Sequence, residues 1–452
     1  MEPEYAALIP WVESTLSGRV VHCARQGDRR SGGRPAFFLD VETPRGLVRC
    51  YARMHRGPMQ SPEFTLEREH AVLEELAAAG IAAPRPLGFC PEPKGILLER
   101  LAGEDDYCAI RDAAQQDAID RAFVGELAKL HALPAERFAA RGLALPRTPE
   151  EFALADLAVW ERGFERSIRA PVPCVSFLRG WLHRNVPAAP ARAVLVQGDT
   201  GPGQFLFEGS RLTGIVDWEF AHLGDPMLDL GLIRGRDFYN PGADLRKWLA
   251  LYEKFSGTPI DVPRLRYYTV KALVITPLAL AGLVQQMPAG TDHAEWFAQY
   301  ATYTRATLEA LAEAIGLVLD PAPLPEPPPS PHARLFDLLD SDLRDQQLPA
   351  AGDDHQRARV RLTLRLATIL RNAEQLGPAL REQERDDQAA LLGRRPASRE
   401  DAARALETLV QESGARREEA LLRYFHRQAC REERLLRGAL GAGEGARFQR
   451  LF

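Results

Sequence analysis

Two short apolar runs, each followed by an aspartate in a turn, constrain this chain more than any other feature. Residues 193–231 read AVLVQGDTGPGQFLFEGSRLTGIVDWEFAHLGDPMLDLG. Residues 193–196 and 212–216 have the length and apolar content of buried strands, and they deliver Asp199 and Asp217 just past their ends. Residues 204–207 read as a third strand, and Glu208-Gly209-Ser210 as a hairpin turn. Two carboxylates brought to neighbouring loops suit a metal–phosphate centre. One orients an attacking hydroxyl and accepts its proton; the other, with an amide carbonyl nearby, holds Mg²⁺ against phosphates. A lone aspartate in such a place usually caps a turn, so it is the assembled pattern that carries the reading.

At these residues the chain resembles the aminoglycoside phosphotransferase family, whose fold is related to that of protein kinases. The family's catalytic loop reads His-Gly-Asp, with Asn five residues after the Asp. Here it is Gln197-Gly198-Asp199 with Gln204. The family's metal-binding turn, Ile-Asp-Trp/Phe-Glu, appears here as Ile215-Val216-Asp217-Trp218-Glu219, and its Gly-Asp-Pro-x-x-Asp-Leu as Gly224-Asp225-Pro226 with Asp229-Leu230. The Gly-Asp-Thr-Gly-Pro-Gly form of the loop is that of the broad bacterial branch. The resemblance implies an α+β, two-lobed protein-kinase-like fold, with a small N-terminal antiparallel sheet and a mostly helical C-terminal lobe. It implies Asp199 as the catalytic residue, Asp217 and Gln204 as metal ligands, and Gln197, Asp225 and Asp229 as supports of the catalytic loop. Gln197 keeps hydrogen-bonding capacity but cannot titrate. Gln204 still offers an amide oxygen, one methylene further out than Asn.

The N-terminal region extends the resemblance. Residues 1–17 read as a helix and 18–24 as a strand, followed by a turn-forming stretch with three glycines at 26–34. Residues 35–41 and 47–53 alternate like paired strands. In kinase-like folds such a glycine-bearing turn lies over the ATP phosphates. A Lys on the third strand, paired with a helical Glu, holds the α- and β-phosphates. Here Arg53 ends the matching strand, and Glu69 lies on the next helix, which Ser61 and Pro62 are expected to open. An Arg at a strand end and a helical Glu are more often solvated; the family pattern makes them nucleotide-binding. Residues 96–103 resemble the hinge between the lobes, where the backbone of Glu99 and Leu101 would meet the adenine edge. The helix at 116–132 carries His131, read as a packed structural histidine. Thr148-Pro149-Glu150-Glu151 reads as a capping box, and helices are expected over 148–188 and 243–316.

At 452 residues the chain exceeds one ordinary core. A net charge of −5, without long runs of one sign, argues against a nucleic-acid or membrane-surface partner. The longest apolar run, residues 272–284, is interrupted by Thr276, Pro277 and Gly282 and is too short for a membrane span. Glu2 and Glu4 sit where a secretory signal would carry basic residues, and the six cysteines are scattered without metal or disulfide spacing. A cytoplasmic protein is expected.

Residues 321–331 hold seven prolines and read as a stiff linker. Beyond it Lys is absent and Arg abundant, with three or four amphipathic helices that suit a small separate bundle. The expected organisation is a nucleotide-binding lobe over 1–98, a catalytic and substrate lobe over 99–318, a linker over 319–333 and a bundle over 334–452. A protein partner, or self-association, is expected of the bundle. The expected activity is ATP- and Mg²⁺-dependent transfer of a γ-phosphoryl group to a hydroxyl of a small molecule. The alternative, raised by His→Gln, Asn→Gln and Lys→Arg at chemical positions, is a degenerate nucleotide-binding or scaffold protein with little or no activity.

Overall fold

Alternation of buried and exposed residues, together with tight turns, builds the first layer. β1 (Arg19–Arg25), β2 (Ala36–Thr43), β3 (Gly46–Met54), β4 (Pro86–Cys90) and β5 (Gly95–Glu99) form an antiparallel sheet in the order β1-β2-β3-β5-β4. The chain is described by a computed structural model over residues 5–26, 34–55, 63–190, 192–288, 292–320 and 323–451. α1 (Leu8–Leu16) lays Leu8 and Val12 on the inward face of the sheet, against Phe37, Leu39, Val41 and Leu97. α2 (Leu66–Ala79) begins later than expected. Thr65, not Ser61, is the N-cap, accepting from the backbone N–H of Arg68, and Gly80 closes the helix. Ser61 and Pro62 lie outside the described residues, as do residues 27–33 of the glycine-bearing turn. Register places Arg53 opposite Ala36 on one side and Ile96 on the other, at the end of β3.

The chain divides into two compact units, one of residues up to 155 with 188–265, the other of 156–187 with 266–450. In the first, the sheet is followed by α3 (Ala113–Ala132), α4 (Ala135–Ala139) and α5 (Pro149–Leu154), the last opened by the expected capping box at Thr148. In the second unit lie α6 (Leu157–Ser167) and α7 (Pro173–Arg184). The chain then returns to the first unit. There β6 (Val194–Val196) pairs with β9 (His222–Gly224), and the hairpin of β7 (Phe205–Glu208) and β8 (Arg211–Ile215) lies between them in sequence. α8 (Pro226–Tyr239) and α9 (Leu245–Ser256) complete this unit. Phe205 of the hairpin stacks on Phe123 of α3, with ring centroids 4.4 Å apart, and this burial anchors the hairpin.

The second unit also takes most of α10 (Val262–Gln286), then α11 (His293–Ala314), α12 (Ala333–Ser341), α13 (Leu348–Ala350), α14 (Asp354–Leu392), α15 (Arg399–Ser413) and α16 (Glu418–Leu436). α10 is long and apolar enough to cross a membrane by length and composition, which residues 272–284 alone had not suggested. Yet 67 % of its most apolar window is buried, as in a core helix. The helices beyond the proline-rich stretch do not pack by themselves. Leu436 and Leu440 cluster with Ala298 and Ala301 of α11, and Phe425 meets Phe177 of α7 at 5.5 Å. The compositional boundary expected at 334 is therefore not a boundary of packing. The apolar stripe of α16 needed a partner, and α11 and α7 supply it. All six cysteines are free.

Candidate active site

The loop after β6 is built to hold Asp199. Its backbone N–H donates to Gln197 Oε1 at 2.7 Å, and Gln197 Nε2 donates to the carbonyls of Val216 and Asp217 at 2.9 and 2.8 Å. A fully buried glutamine thus straps the loop of Asp199 to the turn of Asp217. The strap needs an acceptor and two donors on one side chain, which an amide has. Gly198, at φ +93°, has no room for a Cβ, which would lie 2.6 Å from the carbonyl oxygen of Phe220.

Asp229 of α8 holds the loop from below. Its carboxylate accepts the N–H groups of Gln197 at 2.9 Å and Gly198 at 3.2 Å, and it meets the hydroxyl of Thr200. His131 Nε2 lies 3.0 Å from Asp229, and its Nδ1 lies 2.7 Å from the Tyr252 hydroxyl. Burial raises the Asp229 pKa, but these hydrogen bonds outweigh burial and hold it below the usual carboxylate value. His131 is packed, as expected, and it also braces the brace. Asp225 touches α8 instead: it caps the helix through the Met227 N–H at 2.8 Å and pairs with Arg264 at 3.4 Å. Through these contacts it fixes the start of α8, the helix that carries Asp229.

The Asp199 carboxylate is held at both oxygens. Gln204 Nε2 donates to Oδ2 at 2.5 Å and Arg236 Nη1 to Oδ1 at 2.6 Å. Burial, with Asp217 nearby and Arg236 opposing, pushes the Asp199 pKa up to about 6. Gln204 spends its amide nitrogen on Asp199, so its carbonyl oxygen is the atom left for a cation.

Asp217 sits at φ +63° and ψ +64°, a left-handed conformation that aspartate tolerates better than most residues. Trp218 Nε1 clamps this turn by donating to the Ile215 carbonyl at 2.9 Å. Arg53 Nη1 lies 2.8 Å from both Glu69 Oε1 and Asp217 Oδ1, and Nη2 lies 3.7 Å from Glu219 Oε1. The expected Arg53–Glu69 pair is thus formed and buried. Arg34 joins the cluster by donating to Glu219 at 3.0 Å, and Arg68 donates to the Glu219 carbonyl at 2.8 Å. Sequence reasoning missed Arg34 and Glu219. Only their charge, beside the glycine-bearing turn and within Asp-Trp-Glu, could have marked them.

A cleft of about 580 Å³ opens on this cluster, and Arg53, Gln204, Asp217, Glu99 and Leu101 all line it. The hairpin is tied beneath the hinge, where Glu104 and Phe207 exchange backbone hydrogen bonds at 3.0 Å. The Glu99 N–H is engaged by the Arg85 carbonyl at 2.8 Å, so a contact from Glu99 to a nucleotide falls to its carbonyl. Glu69 lies behind Arg53, and neither it nor Asp199 lines the cleft; Asp199 lies behind Gln204, which donates to it.

The model of the phosphotransferase enzyme family (APH) matches residues 34–268, 235 of the 452 residues. The chain belongs to this phosphotransferase family. A structure described as a candidate aminoglycoside phosphotransferase from Ralstonia eutropha is 19% identical and shares the fold at a TM-score of 0.54, over 69% of this chain and 98% of that one. The protein is also 24% identical to acyl-CoA dehydrogenase family member 11 of Rattus norvegicus over 68% of this chain and 42% of that protein. The Gallus gallus protein of the same name is 23% identical over 56% of this chain and 34% of that one. This phosphotransferase-family chain therefore spans at most about two fifths of the length of these curated relatives. The α+β kinase-like fold expected from the motifs, with helices appended after it, is the fold observed.

The donor set suits Mg²⁺. Asp217 and Gln204 line the cleft and offer a carboxylate and an amide oxygen, and Mg²⁺ characteristically takes one or two carboxylates with phosphate oxygens and water.

Proposed function

We propose that this phosphotransferase-family protein transfers the γ-phosphoryl group of ATP to a hydroxyl of a small molecule. The observation that carries the reading is the convergence of Asp217, Gln204 and the Arg53–Glu69 pair on a cleft that ends at the hinge. Asp199 orients the acceptor hydroxyl and takes its proton. The acceptor oxygen forms a bond to the γ-phosphorus while the bond from that phosphorus to the β,γ-bridging oxygen breaks, and ADP leaves. Arg53, aimed by Glu69, holds the α- and β-phosphates, and the backbone of Glu99 and Leu101 meets the adenine. Asp217 and Gln204 would hold Mg²⁺, which neutralises charge on the phosphates when bound. Preorganised charge and positioning supply the rate.

Sugars, amino alcohols and hydroxyacyl thioesters all offer a suitable hydroxyl. The names of the curated relatives, acyl-CoA dehydrogenase family members, favour the hydroxyacyl thioester. Their dehydrogenase chemistry is not carried over, since this chain spans only part of them.

One observation favours the alternative of nucleotide binding without turnover: Arg53 rests on Asp217, the expected metal ligand. Calorimetry of ATP binding, with and without Mg²⁺, on wild type and Asp217→Ala separates the readings. Binding that needs Mg²⁺ and weakens in the variant, followed by ADP formation with a hydroxyacyl-CoA, supports transfer. Binding without ADP formation over a broad acceptor panel supports the alternative.

A further inference from the structure

One face of α8 carries the catalytic loop. Asp229, Ile233 and Arg236 are spaced by four and three residues, so they fall on one side of a helix. Asp229 takes the N–H groups of Gln197 and Gly198. Next to it, a Cβ on Gly201 would lie 3.2 Å from the Ile233 Cα and 3.1 Å from the Arg236 Cβ. Arg236 then crosses the loop. Nε donates to the Pro202 carbonyl at 2.9 Å and Nη1 to Asp199 Oδ1 at 2.6 Å. A Cβ on Gly203 would lie 3.4 Å from Nη2. Gly201, at φ +139°, therefore provides both a backbone shape and the space in which the aliphatic stem of Arg236 lies.

We propose that Arg236 is a positioning residue for phosphoryl transfer, fixing the Asp199 carboxylate so that it faces the acceptor hydroxyl. The inference deepens the proposed function and rests on it. Two features separate this contact from an ordinary surface ion pair. The guanidinium grips the loop at two points, a carboxylate and a backbone carbonyl three residues on, which fixes orientation as well as charge. With Gln204 on Oδ2 and Arg236 on Oδ1, neither oxygen can rotate freely. Lysine at this position would reach one of the two acceptors.

The test uses the full chain with Mg-ATP, water serving as acceptor, and follows ADP release. Arg236→Ala is expected to lower kcat at least tenfold and leave KM for Mg-ATP within twofold. Arg236→Lys is expected to recover part of the loss. In an Asp199→Asn background, Arg236→Ala is expected to cause no further loss, because the group it aims is gone. A residue that merely stabilises the fold would give the same loss in both backgrounds. Should Arg236→Ala fail to fold, Arg236→Lys is read in the same two backgrounds. Equal losses with and without Asp199, or a rise in KM at unchanged kcat, would overturn the inference while leaving the proposed function standing. A wild-type protein that neither binds nor turns over Mg-ATP would overturn the proposed function and this inference with it.

Discussion

Arg53 bridges Asp217 and Glu69, with Nη1 at 2.8 Å from a carboxylate oxygen of each. The residue expected to hold phosphates therefore also neutralises the residue expected to hold the metal. On the proposed function this contact would couple two binding events. A cation on Asp217 would compete with Arg53 for the carboxylate, and an Arg53 released from Asp217 would be free to meet phosphate.

Arg53→Met is expected to raise the affinity for Mg²⁺ in the absence of nucleotide and to weaken Mg-ATP binding at least tenfold. Both are read by calorimetry. The variant should also lose about 3 kcal/mol of stability, because Glu69 is buried and loses a main counter-charge. Unchanged Mg²⁺ affinity would show that Arg53 does not compete for Asp217.

Asp199→Asn is close in size to Asp199 and removes the proposed base. Turnover is expected to fall by at least 100-fold while ATP still binds with near wild-type affinity. Wild-type turnover in this variant would remove Asp199 from its assigned role.

Gln197 is buried and hydrogen-bonded to four groups: the Asp199 N–H, the Thr200 hydroxyl and the carbonyls of Val216 and Asp217. Gln197→Ala takes this partner from the Asp199 N–H and the two carbonyls, while Thr200 keeps Asp229, and should cost about 2–4 kcal/mol in urea unfolding. Gln197→His keeps one donor and one acceptor and should cost less. Equal losses in the two variants would mean that packing, not the strap, is what Gln197 provides.

In the second unit, burial disfavours the charged form of His426, but contacts with Cys430 and Glu309 outweigh it and raise the pKa from 6.5 to about 9. The folded state then binds the proton more tightly than the unfolded chain. The resulting stabilisation is complete below about pH 6.5 and is lost as pH rises through about 9. It amounts to about 3 kcal/mol at most. Urea unfolding of this region between pH 6 and 10 should show the decline, and His426→Gln should flatten it.

Phe425 is buried at the meeting of α16 with Phe177 of α7. Phe425→Ala is expected to destabilise this unit by about 3–5 kcal/mol. A loss below about 1 kcal/mol would show that α16 contributes little to it.

Local sequence determined much of this protein. The apolar runs ending at Asp199 and Asp217, the hairpin between them and the capping box at Thr148 obey rules that span a few residues, so they were legible without a structure. The Arg53–Glu69 pair was legible only through the family pattern. What tertiary structure alone decided is which distant groups meet. Arg236 reaches Asp199 across 37 residues, and Arg53 rests on Asp217 from another element entirely. His131, a packed helical histidine in the sequence, supports Asp229 from α3. The helices beyond the prolines share a unit with α7 and α11, although composition set them apart. Composition and periodicity show that a helix has a face to bury or a side chain a charge to satisfy. They do not say against what, because the partner is chosen by the packing of the whole chain, where shape and charge must be satisfied together.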